Sequence, residues 1–388
     1  MNGVPNPAKL AGRLTLCPGS ERPIHCERPI VSAEGMRRLT AGRRAAMLPD
    51  LLGAVFALCG TAHRLTARRA VDAALGLAES AAEAQRAAQL LRLATTRELL
   101  HRLAFDLPTR VPVAGLAVGT WLQGAPWVQT LNAVAAQGSA DQLERSLEQL
   151  PRWIEQRLIG GPSRDWLRAW RDDPPQWTAR WAARHAHPVA RWFDAVRARA
   201  AALALPCRPL ALLDAPAQSL DTEMRALAQS LATEAGFAQR PRWRGQPAET
   251  GPWTRACSGA DGAIDTVWLR LAARLPDLLR VASDEQALRH GALCLGDGAG
   301  IAWSEMARGL LVHWVQLEPG ADDPVLARVA ACRVLAPTEW NFHPEGALAR
   351  ALRDAPWSAD EAVLAAAALD PCIEIAVETE TEAEASHA

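Results

Sequence analysis

The run from Leu77 to Leu103 constrains this chain most: it is long, rich in Ala, Leu, Glu, Gln and Arg, and has few helix breakers. A strand of that length would be exceptional, whereas these residue types sit well in a helix. Asp106, Pro108 and Pro112 end the run or begin a loop. Helical patterns recur at Thr61–Gly76, Ser139–Leu150, Ser163–Arg171, Val189–Leu205, Asp221–Ala235, Ile264–Ser283, Ala347–Leu352 and Ala359–Leu369. The first 35 residues instead alternate short apolar stretches with Pro, Gly and charge, which suggests irregular strands or an edge hairpin. Residues 206–218 are turn-rich, and 237–260 form an excursion rich in Arg, Pro, Gly and Trp. From Gly291 to Trp340, glycine turns separate strand-like runs such as LLVHWVQL. The expectation is a largely helical α+β fold with long-range chain closure.

Charge narrows the function. The chain has 388 residues, and its 42 basic and 43 acidic side chains nearly cancel, so no global basic field points to nucleic acid as a partner. The start lacks a basic segment followed by an apolar export core, and no apolar run is long enough to cross a bilayer. The expected location is the cytoplasm, with no direct membrane insertion. Eight cysteines are dispersed with no CxxC pair, which argues against a zinc ribbon, a thioredoxin-type couple and a compact iron-sulfur loop. Fifteen tryptophans and no tyrosine give large packing surfaces, several of them between Trp153 and Trp192.

Four ordered segments carry the chemistry. They are Cys59-Gly60-Thr61-Ala62-His63, Glu305-Met306-Ala307-Arg308-Gly309 running on to His313, Ala336-Pro337-Thr338-Glu339-Trp340-Asn341-Phe342-His343-Pro344, and Asp370-Pro371-Cys372. Together they resemble the nickel-iron hydrogenase large-subunit superfamily, especially its HupK/HoxV-type accessory branch. The resemblance spans roughly residues 50–76 and 290–378, leaves 110–285 weakly matched, and implies one large-subunit-like domain over 1–377, truncated relative to the catalytic family. Residues 378–388 read as a polar, disordered tail.

In the catalytic family two CxxC pairs surround nickel and iron. By that resemblance Cys59 matches the second cysteine of the first pair, and Phe56 stands in the first one's place. Cys372 matches the first cysteine of the terminal pair, Ile375 occupies the second position, and Glu378 replaces the closing histidine. The acidic RGxE segment expected before the first pair is not evident. Phenylalanine and isoleucine cannot ligate a metal, so a working nickel site and stable nickel are not expected. With Glu378 in place of the closing histidine and ten mostly polar residues after it, the terminal processing of catalytic precursors is not expected here.

The resemblance implies an accessory role in making the metal centre rather than an enzyme. Cys59 and Cys372 are the expected metal ligands, transiently holding iron with cyanide and carbon monoxide. The expected partners are the maturation proteins that deliver this fragment and the immature large subunit that receives it. Arg308 is expected beside the diatomic ligands, with Glu305 orienting it. His63 is expected to donate a hydrogen bond, position a ligand or relay a proton, Asn341 and His343 to stand around the cargo with Asn341 bonding a buried turn, Trp340 to shield the pocket, and His313 to be structural. A helix start at Cys59 would favour its thiolate. The alternative is a metal-free interaction or protection protein with the same shape. A cysteine hydrolase fits poorly, since no third residue orients Cys59 and His63.

Overall fold

The first and last strands of the described chain meet in one small sheet. The computed structural model describes residues 12–123, 125, 140–256, 264–320, 325–355 and 357–378. Strand β1 (Arg13–Leu16) pairs antiparallel with β2 (Ile24–Glu27), giving the expected hairpin. The last strand, Glu374–Val377, lies parallel to β1 on its other side, with Leu14 opposite Ile375. Glu378 still donates its N–H to the Leu16 carbonyl at 2.9 Å. The remainder of the expected tail, 379–388, lies outside the described residues.

Helices follow the hairpin: α1 (Ala33–Thr40), α2 (Leu48–Val55), α3 (Gly60–Ala74) and α4 (Ala81–His101). The last starts four residues later than the apolar run suggested, because Ser80 and Glu83 form a capping box that satisfies its first N–H groups. Helices α2 and α3 cross at glycines: a Cβ on Gly60 would meet the Gly53 carbonyl oxygen at 2.4 Å. A helical middle continues with α5 (Ala140–Ile154), α6 (Ser163–Asp172), α7 (Pro174–Arg184), α8 (Pro188–Ala202) and α9 (Ala217–Thr233). The expected helix over Ile264–Ser283 is two, α10 (Val267–Ala272) and α11 (Arg274–Ser283), joined at Ala273.

A four-stranded antiparallel meander follows, β3 (His290–Gly296), β4 (Ala299–Met306), β5 (Gly309–Leu317) and β6 (Val329–Leu335). Its two central strands are almost wholly buried because both faces are covered. One face packs on α3, which approaches so closely that a Cβ on Gly300 would meet the Ala70 carbonyl oxygen at 2.4 Å. The other face carries Ile301, Trp303, Val312 and Trp314 into a second core with Met224 and Leu227 of α9. The short helix α12 (Pro337–Asn341), then α13 (Ala347–Asp354) and α14 (Ala359–Leu369), lead into the final strand β7 (Glu374–Val377). The fold is largely helical α+β. Among the described residues no single helix is long and apolar enough to cross a membrane.

Candidate thiol and arginine site

Cys59 sits buried immediately before α3, its N–H bonded to the Phe56 carbonyl at 3.0 Å. Cys372 lies in the loop between α14 and β7, half-buried, with its Sγ 3.2 Å from the Thr338 hydroxyl. Arg110 holds that loop by donating to the Pro371 and Ile373 carbonyls at 3.1 and 3.2 Å. Burial pushes the Cys59 thiol well above its ordinary value; Arg308 pulls it down, and Glu98 and Cys372 push it further up. Thiols from opposite ends of the chain therefore share one electrostatic neighbourhood. The expectation of a thiolate favoured by the helix start is corrected here. Desolvation of a buried sulfur outweighs the helix N–H groups, so the resting group is a thiol.

Arg308 reaches this neighbourhood from the two-residue turn between β4 and β5. Its Nη1 donates to Glu98 at 2.8 Å, and its Nε lies 3.9 Å from Asp370 Oδ1. Asp370 is in the left-handed region at φ 59 and also accepts from Arg102 and Arg274, each at 3.0 Å. Three guanidiniums thus converge on the carboxylate two residues before Cys372. Burial, aided by Asp370 and opposed by Arg308, pushes the Glu98 carboxyl up to about 7. Burial opposes the Arg308 charge, yet Asp370, Glu98 and the two thiols outweigh it and raise its pKa. The Arg308 Nε is buried with no hydrogen-bond partner.

Other expected residues have different employment. Glu305 does not orient Arg308; its carboxylate is held by Arg289 through two N–H donors at 3.0 and 3.1 Å. The reason is direction: Glu305 lies on β4 while Arg308 lies in the turn itself, and Glu98 and Asp370 supply the Arg308 partners instead. His63 bonds through Nδ1 to His313 Nε2 at 3.1 Å and stacks on Phe56 with centroids 4.1 Å apart. Burial, then His313, Arg28 and Arg308, lowers its pKa well below the usual imidazole value, and burial takes His313 down to about 3. This is a neutral imidazole pair tying α3 to β5. Asn341 bonds both the N–H and the carbonyl of Thr250 at 2.9 Å, and the Leu369 carbonyl at 3.2 Å. His343 accepts from the Glu345 N–H at 3.1 Å. These last two positions brace loops around the site.

Several residues escaped the sequence reading. Arg28, just after β2, is buried and pairs with Glu339 at 2.5 Å, and its guanidinium lies 5.9 Å over the Phe56 ring. Cys26 is pushed up to about 12, by burial first and then by Glu339, with Cys372 adding to the rise. It borders a cleft of about 530 Å³ rimmed by Arg240 and Arg242. The spacing Cys26-Glu27-Arg28 carried no signal, because these residues join the site only through pairing of the chain's ends. Among the described residues, no group of three or more His, Cys, Asp or Glu side chains is arranged to hold a metal ion. Two thiols supplemented by arginine donors suit an anionic unit that brings ligands of its own.

No family profile matches the chain. It is 37% identical over 388 residues to the hydrogenase expression/formation protein HoxV of Cupriavidus necator, covering 95% of this chain and 96% of that protein. It is 31% identical over 370 residues to the hydrogenase expression/formation protein HupK of Rhizobium leguminosarum bv. viciae, covering 90% and 91%. In fold it is similar to the nickel-iron-selenium hydrogenase of D. vulgaris Hildenborough, with a TM-score of 0.51 at 13% identity over 87% of this chain and 91% of that chain. The chain belongs to the HupK/HoxV-type hydrogenase expression/formation proteins, an accessory branch related to the nickel-iron hydrogenase large subunits.

Proposed function

We infer that this accessory protein is an assembly scaffold. It holds an iron fragment bearing cyanide and carbon monoxide through Cys59 and Cys372, then releases it to an immature nickel-iron hydrogenase large subunit. The observation that carries this reading is the pair of thiols, brought from opposite ends of the chain into the electrostatic reach of Arg308, whose buried Nε has no partner. Soft sulfur suits iron, and a guanidinium N–H suits the nitrogen of an iron-bound cyanide. With Phe56 and Ile375 where the catalytic family has cysteines, the protein supplies two thiolates and leaves other positions to the cargo's own ligands.

Loading requires both thiols to lose protons. The buried surroundings of Cys59 oppose a free thiolate, so the metal itself must displace its proton, and binding should tighten as pH rises. Release reverses the exchange when protons or competing thiolates of the acceptor take over. Incomplete coordination by the protein makes that transfer accessible. His63, Asn341 and His343 support the walls: the imidazole pair fixes α3 against β5, and Asn341 fixes the Thr250 loop under the Leu369 end of α14. The delivering proteins and the receiving precursor are the partners, in the cytoplasm where the precursor matures.

The test is infrared spectroscopy with iron and nickel analysis on protein purified from a host with the complete maturation system. The expected result is about one iron per chain, cyanide and carbon monoxide bands, and little nickel. C59A and C372A should each remove most of the bands. A metal-free interaction protein is the competing reading, favoured by the protonated Cys59. It would bind its partners equally well in both variants and show no diatomic bands in any of them.

A further inference from the structure

Arg28 is a buried cation whose full hydrogen-bonding capacity the protein does not use. Its Nη1 is paired with Glu339 at 2.5 Å, while its Nε is buried without a partner, as is Glu339 Oε2. The guanidinium rests 5.9 Å over Phe56, and the same ring stacks on His63. Phe56 stands where the catalytic family has a metal-binding cysteine, and here it carries an arginine instead. On the other side, Glu339 adjoins Thr338, whose hydroxyl is 3.2 Å from the Cys372 sulfur. Arg28 therefore approaches the thiols by two routes, through Phe56 toward Cys59 and through Glu339 and Thr338 toward Cys372.

Arg308 reaches the same thiols from the Asp370 side, and it too keeps a buried, unpartnered Nε. Burial disfavours the charge of both guanidiniums, and in both cases neighbouring groups that include Cys372 outweigh it. Besides Asp370, which Arg308 shares with Arg102 and Arg274, one carboxylate beside each arginine is itself a reluctant anion. Burial raises Glu339 despite Arg28, and it raises Glu98 despite Arg308. Two fixed cations, two resisting carboxylates and two unused N–H donors make a site that favours an added anion.

We propose that Arg28 is a second anion-holding guanidinium of the thiol site, working with Arg308 to grip an anionic cyanide-bearing metal fragment from two sides. This rests on the scaffold reading for the identity of the cargo, while the anion site itself does not need it. Arg28 supplies hydrogen bonds and charge and makes no bond to the metal. Its part is positioning: it holds one ligand of the fragment while the sulfurs hold the metal. Cys26, two residues before Arg28, lines a cleft that also carries Arg240 and Arg242 together with Glu27 and Glu234.

The experiment uses the full chain with R28K, R28Q and the double variant R28Q/E339Q, which removes both partners and so leaves no unpaired buried carboxylate. In protein from the maturation-competent host, the cyanide stretching bands should move in R28K and R28Q/E339Q relative to wild type. Iron retained after gel filtration should fall about tenfold in the double variant, equal to ~1.4 kcal/mol of binding. In parallel, thiocyanate is titrated onto metal-free protein and followed by its own infrared stretch. Binding should weaken about tenfold in R28Q/E339Q. If the double variant does not fold, R28K, which keeps the charge and loses the planar fork, carries both readouts. Unchanged cyanide bands in R28K and unchanged thiocyanate affinity overturn the proposal. Thiocyanate binding that depends on Arg28, in protein that never acquires iron, would sustain the anion site and sink the scaffold reading.

Discussion

Two buried arginines, one in the helical body and one at the thiol site, show how differently the same side chain is used. Arg270 of α10 is saturated: its Nε and Nη2 clamp Glu249 at 3.0 and 2.9 Å, and its Nη1 donates to the Leu205 and Thr266 carbonyls. Arg308 is equally buried, yet it makes one hydrogen bond to Glu98 and leaves its Nε unpartnered. A guanidinium whose donors all meet protein acceptors holds the fold, here tying the 205 and 249 segments to α10. One left with a buried donor that makes no hydrogen bond represents an unfavourable state that an incoming acceptor relieves. The contrast separates residues that fasten the scaffold from residues arranged for something outside it.

Breaking the saturated arginine should have the largest effect. R270Q strands the Glu249 carboxylate and should cost about 3–5 kcal/mol of stability, seen as a large fall in the denaturant midpoint. A midpoint near wild type would erase the distinction between the two arginines. Next is Asn341, assigned to loop bracing. N341A leaves the Thr250 N–H and carbonyl without partners and should cost about 1–3 kcal/mol, without moving the cyanide bands of loaded protein. Bands that shift would promote Asn341 from brace to cargo contact.

The smallest effect concerns Glu98 and sharpens the same comparison. Its folded pKa of about 7 lies above the ordinary 4.5, so between those values the folded protein keeps a proton that the unfolded chain gives up. Stability then falls as pH rises from about 4.5 to 7. E98Q should remove this decline, bringing the unfolding free energies at pH 5 and pH 8 closer together. An unchanged difference would mean that Arg308 holds Glu98 ionised throughout.

Much of the scaffold was readable in the chain. The long run ending near Asp106, the strand-like LLVHWVQL and the capped 359–369 segment all emerged as drawn, because local propensity and packing agree there. The break at Ala273 and the start at Ser80 were less visible, since capping decides helix ends more than periodicity does. Of the site, Cys59, Cys372 and Arg308 were picked out by the ordered segments they sit in. Glu305 was misassigned as Arg308's partner because adjacency along the chain says nothing about which way two side chains leave a tight turn. Arg28, Cys26 and Glu98 carried no local pattern at all.

The order of its segments determined this protein's lineage, and the cysteines it lacks are the ground for expecting no complete nickel site. Those are matters of which atoms are present, and no folding can add a sulfur to Phe56 or Ile375. Tertiary structure alone decided which charges surround the two remaining thiols. Pairing of β1 with β7 draws the first and last described stretches together, and burial then raises the Cys59 thiol and the Glu98 carboxyl beside their junction. Desolvation is a property of the assembled surroundings, so the chemistry of Cys59 and Arg28 exists only once those surroundings close.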